Sequence, residues 1–273
     1  MTDPWLSVLM PIYNGAATLP RTLESLPALE SGIEVIAVVQ AGEDGSRDQL
    51  KAIPRLRLID APQSKSWMEN TNIAMRAASA PLVTMLHQDD LWRPGRAETL
   101  REMARQTPEA KLWVHGADYI DANDRVVGHL SPPFGSSARL VPSGEALRRL
   151  LVQNTVALPA AMFRRDDALA DGGLEETLWY TADWELWLRL ARMGPVAWEP
   201  KALAAFRIHA GSQTVTGSRN SSDFKAQLEQ PVARHLEALT AREQRQVKHW
   251  AELSNRVNVA LAGAYHGQRR ELA

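Results

Sequence analysis

The stretch 82-LVTMLHQDDLWRPG-95 decides how the chain is read. A mostly apolar run from Leu82 to Leu86 stops at His87, Gln88, Asp89 and Asp90, and a Trp-Arg-Pro-Gly turn follows at once. The run has the length and composition of a buried strand, and Pro94 suits the first turn of a helix running to about Arg105. A continuous apolar strand that feeds a helix is the repeating unit of a parallel α/β sheet.

The same unit recurs on the N-terminal side. Leu6 to Met10 is a compact apolar run ending at Pro11, and Leu19, Leu23 and Leu26 then fall on one helix face before Pro27. Val35 to Val39 is a second run, followed by the turn-like 41-AGEDGSRD-48. Leu56, Leu58 and Ile59 mark a third strand, Asn70 to Ala78 a helix, and Leu112 to His115 a fifth strand. These alternations predict an α/β fold with a mostly parallel central sheet flanked by helices. In such sheets ligands collect beyond the carboxyl ends of the strands.

Further on the pattern is less regular. Val126 to Leu130 reads as a hairpin arm, 131-SPPFGSS-137 as a loop, and Ser143 to Leu151 as a helix. Ala157 to Phe163 is strand-like, Asp183 to Met193 strongly helical, and Val196 to Ile208 a strand leading into His209. Ser212 to Ser222 reads as a loop. Asp223 to about Ala264 is charged and helical with breaks, which predicts two helices packed on the body.

Composition narrows the function classes. Hydrophobic residues make up 45% and charged residues 23%, too apolar for a disordered chain. A formal net charge of -1 gives no basic field for nucleic acid. Absence of cysteine removes disulfides, thiolate catalysis and zinc-thiolate sites together. No stretch reaches the ~18 apolar residues a membrane span needs, and the N-terminus lacks a secretory pattern, so a cytoplasmic location is expected.

Four polar strand tips carry the candidate chemistry, each with a bland reading beside the functional one. In 11-PIYNGAAT-18, Asn14 either caps a helix or helps present its amides to an anion. After Val39, the carboxylates of Glu43 and Asp44 either accept hydrogen bonds from a ligand or belong to a solvated turn. In 87-HQDD-90, His87 and Asp89 share a side of an extended segment and form an acceptable divalent-metal pair; Asp90 points the other way. In 179-WYTADWELWLRLARMG-194, Asp183 sits in a helix first turn among bulky aromatics, while Glu185 and Arg189 can be plain surface pairing. His209, at the end of another strand, packs structurally or joins a site.

Taken together these segments resemble the family 2 glycosyltransferases of the GT-A fold over roughly residues 5 to 215. The stretch 8-VLMPIYNGAATLPRTLESL-26 is similar to the family's first strand and turn, and 34-EVIAVVQAGEDGSRD-48 to its second nucleotide-contacting tip. The segment 63-QSKSWMENTNIAMRAASAPLVTMLHQDDLWRPG-95 resembles the helix leading to the Asp-x-Asp metal motif, with His87 standing where the first Asp is usual. Asp183 in 182-ADWELWLRL-190 aligns with the catalytic base, and His209 in Phe-Arg-Ile-His with a late Arg-x-His near the diphosphate.

The resemblance implies inverting transfer of a sugar from a nucleoside diphosphate sugar to a carbohydrate or glycolipid acceptor. On that basis Asp183 is the expected base, and Asp89 with His87 the expected ligands of Mg²⁺ or Mn²⁺. Donor contacts are expected from Pro11, Tyr13, Asn14, Gln40, Asp44, Lys65, Asn72, Gln88 and His209, and acceptor contacts from Asp90 and Trp184. The expected layout is a GT-A domain over 1–215, its nucleotide half about 1–115 and its acceptor half about 116–215, then a helical extension over 216–273. That extension can touch the parent domain, a partner or the inner face of a membrane. A binding module of the same fold without turnover is the alternative. A nucleotidyltransferase is disfavoured, because 11-PIYNGAAT-18 lacks a Gly-rich, basic phosphate loop.

Overall fold

Fully buried apolar runs build the centre of the molecule, whose computed structural model describes residues 3–27, 32–209 and 211–267. Strand β1 (Leu6–Ile12) is buried along its whole length between β2 (Ile33–Val39) and β4 (Leu82–Met85), parallel to both. Pro11 is tolerated there because its side of β1 faces the place where β4 has already ended. The last bond on that side runs from the Leu86 amide to the Leu9 carbonyl. Strand β3 (Leu56–Asp60) adds in parallel to β2. Helices α1 (Leu19–Ser25), α2 (Ser46–Lys51) and α3 (Trp67–Ala77) make the connections. The side chain of Ser66 caps α3 by accepting from the Glu69 amide.

Beyond β4 the sheet departs from the mostly parallel expectation. Strand β5 is the two-residue Leu91–Trp92, and α4 (Arg96–Gln106) leads to β6 (Leu112–Ile120), β7 (Val126–Leu130) and β8 (Arg139–Val141). Helix α5 (Ser143–Leu150) precedes β9 (Ala161–Arg164), α6 (Arg165–Leu169), α7 (Ala182–Met193) and β10 (Val196–Arg207). The strand order is β3-β2-β1-β4-β9-β6-β10-β5. Strand β9 runs antiparallel to both β4 and β6, and β5, β7 and β8 also pair antiparallel, so the sheet is mixed. A continuous apolar run signals double-sided burial but not direction, which the connections set. Leu158–Ala160 is a single 3-10 turn ahead of β9, and α4 starts two residues after Pro94, behind Gly95 at φ 80°.

The main apolar cluster packs α3, α5 and α7 on one face, and a second packs α1 and α4 on the other. Between them Arg96 is fully buried without a carboxylate partner among the described residues, and burial lowers its pKa to about 9. It donates to His115 Nε2 (2.9 Å), Thr84 Oγ1 (2.9 Å) and the Pro159 carbonyl (2.6 Å), tying β4 and β6 to the turn before β9. The expected 212–222 loop holds a short helix, α8 (Gln213–Gly217). Helices α9 (Ser221–Leu236) and α10 (Ala241–Tyr265) follow, the latter closed by a Thr240–Glu243 capping box. Among the described residues no helix is long and apolar enough to cross a membrane.

Candidate active site

The tip of β4 divides its four residues. Asp89 turns its Oδ2 to His209 Nε2 at 3.1 Å, and the bond to Asp89 raises the pKa of His209. His87 sets its ring edge on Trp67 at 5.1 Å. Its Nε2 is buried without a hydrogen-bond partner among the described residues, and burial lowers its pKa, favouring neutral imidazole. Asp90 is 1% exposed: its Oδ1 accepts the Arg207 amide at 2.9 Å, and its Oδ2 is buried without a partner among the described residues. Burial, with the charge of Asp89 adding, pushes its pKa well up. The expected acceptor contact at Asp90 is therefore corrected to a loop-holding one.

Gln88 is likewise a brace. Its Oε1 accepts the Tyr13 amide and its Nε2 donates to the Tyr13 carbonyl, both at 2.7 Å, so both functional atoms of the amide serve the loop after β1. A Cβ at Gly15 would lie 2.5 Å from this side chain, which explains the glycine. Tyr13 itself is 52% exposed, and Asn14 takes φ 50° beside Gly42. Asp44 is also committed: Oδ2 accepts the Ala16 amide (2.8 Å), and Oδ1 accepts the Ser46 amide (3.0 Å) and hydroxyl (2.7 Å). Desolvation works against its charge, but these hydrogen bonds hold its pKa below the usual value. Gln40 ends β2 half-buried, its amide on the Ile12 carbonyl, and Lys65 is exposed on the loop before α3.

Two further expectations are corrected by burial. Asn72 is 2% exposed, accepts the Leu174 amide at 2.8 Å, and donates to the Leu174 carbonyl and Glu176. It ties α3 to the segment before α7 and has no face left for a donor. Trp184 is 1% exposed with Nε1 on the Leu150 carbonyl at 2.8 Å, so its ring belongs to the core. Successive helix positions point apart, so Trp184 does not share the direction of Asp183.

Asp183, in the first turn of α7, is 9% exposed. Its Oδ1 accepts the Trp184 amide at 2.7 Å and its Oδ2 accepts Asn154 Nδ2 at 3.1 Å. No cation is paired with it among the described residues. Burial raises its pKa to about 6, and the two hydrogen bonds moderate the rise. Tyr180 is close enough for the Asp183 charge to add to the burial that lifts its phenol to about 12.

Three positioning residues escaped the sequence reading. Arg207, 4% exposed, donates to the Asp89 carbonyl (2.8 Å), the Asp121 carbonyl (2.6 Å) and Asp124 Oδ1 (2.5 Å), stapling the end of β10 to the loop after β4. The Arg-x-His spacing was its signal, since residues two apart on a strand share a side. Gln227 of α9 accepts from the Tyr180 amide, donates to the Thr177 carbonyl, and offers its own carbonyl to the Thr181 hydroxyl. With Phe224 edge-on to Tyr180 at 4.7 Å, it clamps the 177–181 segment that leads into α7. Neither it nor Asn154 has a local signature.

Gathered at the carboxyl ends of β1, β2, β4 and β10, this site and fold define a class. The chain belongs to glycosyl transferase family 2, whose model matches residues 7–171. It is 29% identical over 228 residues to an uncharacterized protein of Mycobacterium tuberculosis, covering 77% of this chain and 69% of that one. An uncharacterized glycosyltransferase of Rickettsia typhi is 23% identical over 233 residues, covering 82% and 70%. Among solved structures, S. aureus TarS residues 1–349 in complex with UDP-GlcNAc superposes with a TM-score of 0.75 at 16% identity, covering 94% and 74%. The mannosyltransferase PcManGT from Pyrobaculum calidifontis in complex with GDP-Man and Mn²⁺ superposes with a TM-score of 0.64 at 17% identity, covering 97% and 74%. The protein is thus a glycosyltransferase of the GT-A fold.

Proposed function

We propose that the enzyme transfers a sugar with inversion from a nucleoside diphosphate sugar to a carbohydrate or glycolipid hydroxyl, with Asp183 as general base. One observation carries the reading: a carboxylate on the first turn of α7, buried, unpaired by any cation among the described residues, and lifted to a pKa of about 6. A base near that value is ionised at neutral pH yet basic enough to take a hydroxyl proton in the transition state. The acceptor oxygen forms its bond to the anomeric carbon as the bond to the diphosphate oxygen breaks. That electron pair leaves with the diphosphate, and the proton ends on Asp183. Asn154 and the Trp184 amide hold the carboxylate in place throughout.

Asp89 and His209 fit a divalent ion. Carboxylate and imidazole are both suitable donors, and their atoms already converge at 3.1 Å. Among the described residues no group of three or more acidic or imidazole side chains is gathered. Two protein donors suit Mg²⁺ or Mn²⁺ that takes its remaining ligands from water and donor phosphate. Such an ion, when bound, neutralises charge developing on the diphosphate. TarS and PcManGT, captured with UDP-GlcNAc and with GDP-Man and Mn²⁺, support the donor class and the metal. On the donor side Tyr13, exposed above a braced loop, Asn14, Gln40 and Lys65 are the remaining contacts. The reading is tested by incubating the protein with a panel of nucleoside diphosphate sugars and Mn²⁺. Release of nucleoside diphosphate from one donor class supports it, and binding of a donor without release in the presence of any offered acceptor favours a binding module.

A further inference from the structure

Helix α10 presents an exposed apolar stripe. Trp250, Leu253, Val257, Leu261 and Tyr265 follow one another at spacings of three and four, so they share one face, and they are 50%, 42%, 49%, 64% and 67% exposed. Ten large apolar residues are exposed among the described residues, and half of them stand on this one helix. Clustering of that kind marks an interaction surface, whereas scattered apolar residues do not. The adjoining face is packed: Val247, Ala251 and Asn255 are buried, and Asn255 Nδ2 donates to the Leu228 carbonyl of α9.

The edge of the stripe is basic. Arg242, Arg245, His249 and Arg256 recur at spacings of three, four and seven along one flank, and all are exposed. No ion pair engages the three arginines among the described residues. The two carboxylates of the helix are occupied elsewhere: Glu243 with Thr240 and Arg148, and Glu252 with Lys248. The helix carries four cationic side chains against two acidic ones in a chain of net charge -1, so this positive charge is local.

We propose that α10 is a docking helix that lies in the interface of an anionic lipid bilayer, its aromatic and aliphatic stripe among the acyl chains and its basic flank on the headgroups. An exposed apolar face bordered by arginine is the physical profile of an interfacial helix, and α10 is too polar to span. Charge decides between this occupant and a second copy of the chain. In a two-fold antiparallel pairing the basic flank meets its own counterpart and repels it. In a parallel pairing it must meet the opposite flank, which turns toward the face packed on α9. Anionic lipid complements both features at once.

The placement connects the helix to the site. At its carboxyl end His266 Nε2 lies 3.1 Å from Ser218 Oγ, in the segment that follows His209. Trp179, four residues before Asp183, packs against Gly217 of the same segment and donates from Nε1 to Asp223 of α9. These contacts tie the carboxyl end of α10 to the segment that follows His209. The proposal concerns docking alone and stands independently of the role of Asp183.

Co-sedimentation of the full chain with vesicles tests it. The wild-type protein binds vesicles containing phosphatidylglycerol, binds phosphatidylcholine vesicles at least about tenfold more weakly, and releases as salt is raised. The pair Trp250→Ser with Leu261→Ser, and separately Arg242→Glu with Arg245→Glu, each weaken binding about tenfold or more. Their thermal midpoints stay near wild type, since all four positions are on the surface. Failure of the wild type to bind anionic vesicles, or equal binding by the variants, overturns the proposal. So does a concentration-dependent dimer in solution that the Trp250 and Leu261 substitutions dissolve.

Discussion

The tip of β4 and the first turn of α7 each carry a carboxylate at the end of an element, and their surroundings differ. Asp89 sits at a partly open loop against an imidazole, on a backbone held by the guanidinium of Arg207. Asp183 sits in the apolar body against an amide and a neutral side chain, with no cation paired among the described residues. Burial around Asp183 makes its charge costly and lifts its pKa to about 6, so this carboxylate can take up a proton near neutrality. In the proposed reading, the two carboxylates take their different roles from their neighbours rather than from their own chemistry.

Substitutions at either side sharpen that contrast. The larger effect is expected at the tip of β4. Asp89→Ala lowers donor affinity measured by calorimetry in Mn²⁺ by about a hundredfold, as loss of a direct ligand does, and leaves the affinity in chelator little changed. Equal affinity of variant and wild type in both conditions contradicts the metal role. A smaller effect is expected beside α7. Asn154→Ala removes a hydrogen bond that favours the Asp183 charge, so the acidic limb of the pH–rate profile moves upward, by less than about one unit. A downward move, or none with the contact verified as lost, separates the amide from the base.

Much of this was legible in the residues. The apolar runs at Leu6–Met10, Val35–Val39 and Leu82–Leu86 announced the parallel half of the sheet, because burial on both faces leaves no alternation to misread. Directions of β9 and β5 were not legible, since they depend on what each strand lies beside. Asp89 and Asp183 could be singled out from their place at element ends. Asn72 and Trp184 could not be excluded the same way, because their partners, Leu174 and Leu150, lie 102 and 34 residues away. The clamp from Gln227 to the 177–181 loop was hidden for the same reason, and the basic flank of α10 becomes visible only once the helix is continuous from Ala241 to Tyr265.

The raised pKa of Asp183 also has a stability consequence of fixed sign. Its folded value, about 6, lies above the ordinary 3.8, so between those values the native state holds more protons than the unfolded one. Stability contributed by this group falls as pH rises through that window, by up to about 3 kcal/mol when the window is crossed. Asp183→Asn therefore leaves the thermal midpoint at pH 7 equal or higher while removing the base, a separation of stability from activity that a merely structural carboxylate does not give.

The most direct measurement is kcat/KM for the transfer reaction as a function of pH, in wild type and in Asp183→Asn. The wild-type value is expected to rise with pH to a plateau above about 6. The variant is expected to bind donor normally, to lose about 10²–10⁴ in rate, and to lose the titration with it. A variant that turns over at the wild-type rate, or a wild-type profile flat from about pH 5 to about pH 7, contradicts the assignment of Asp183 as the base.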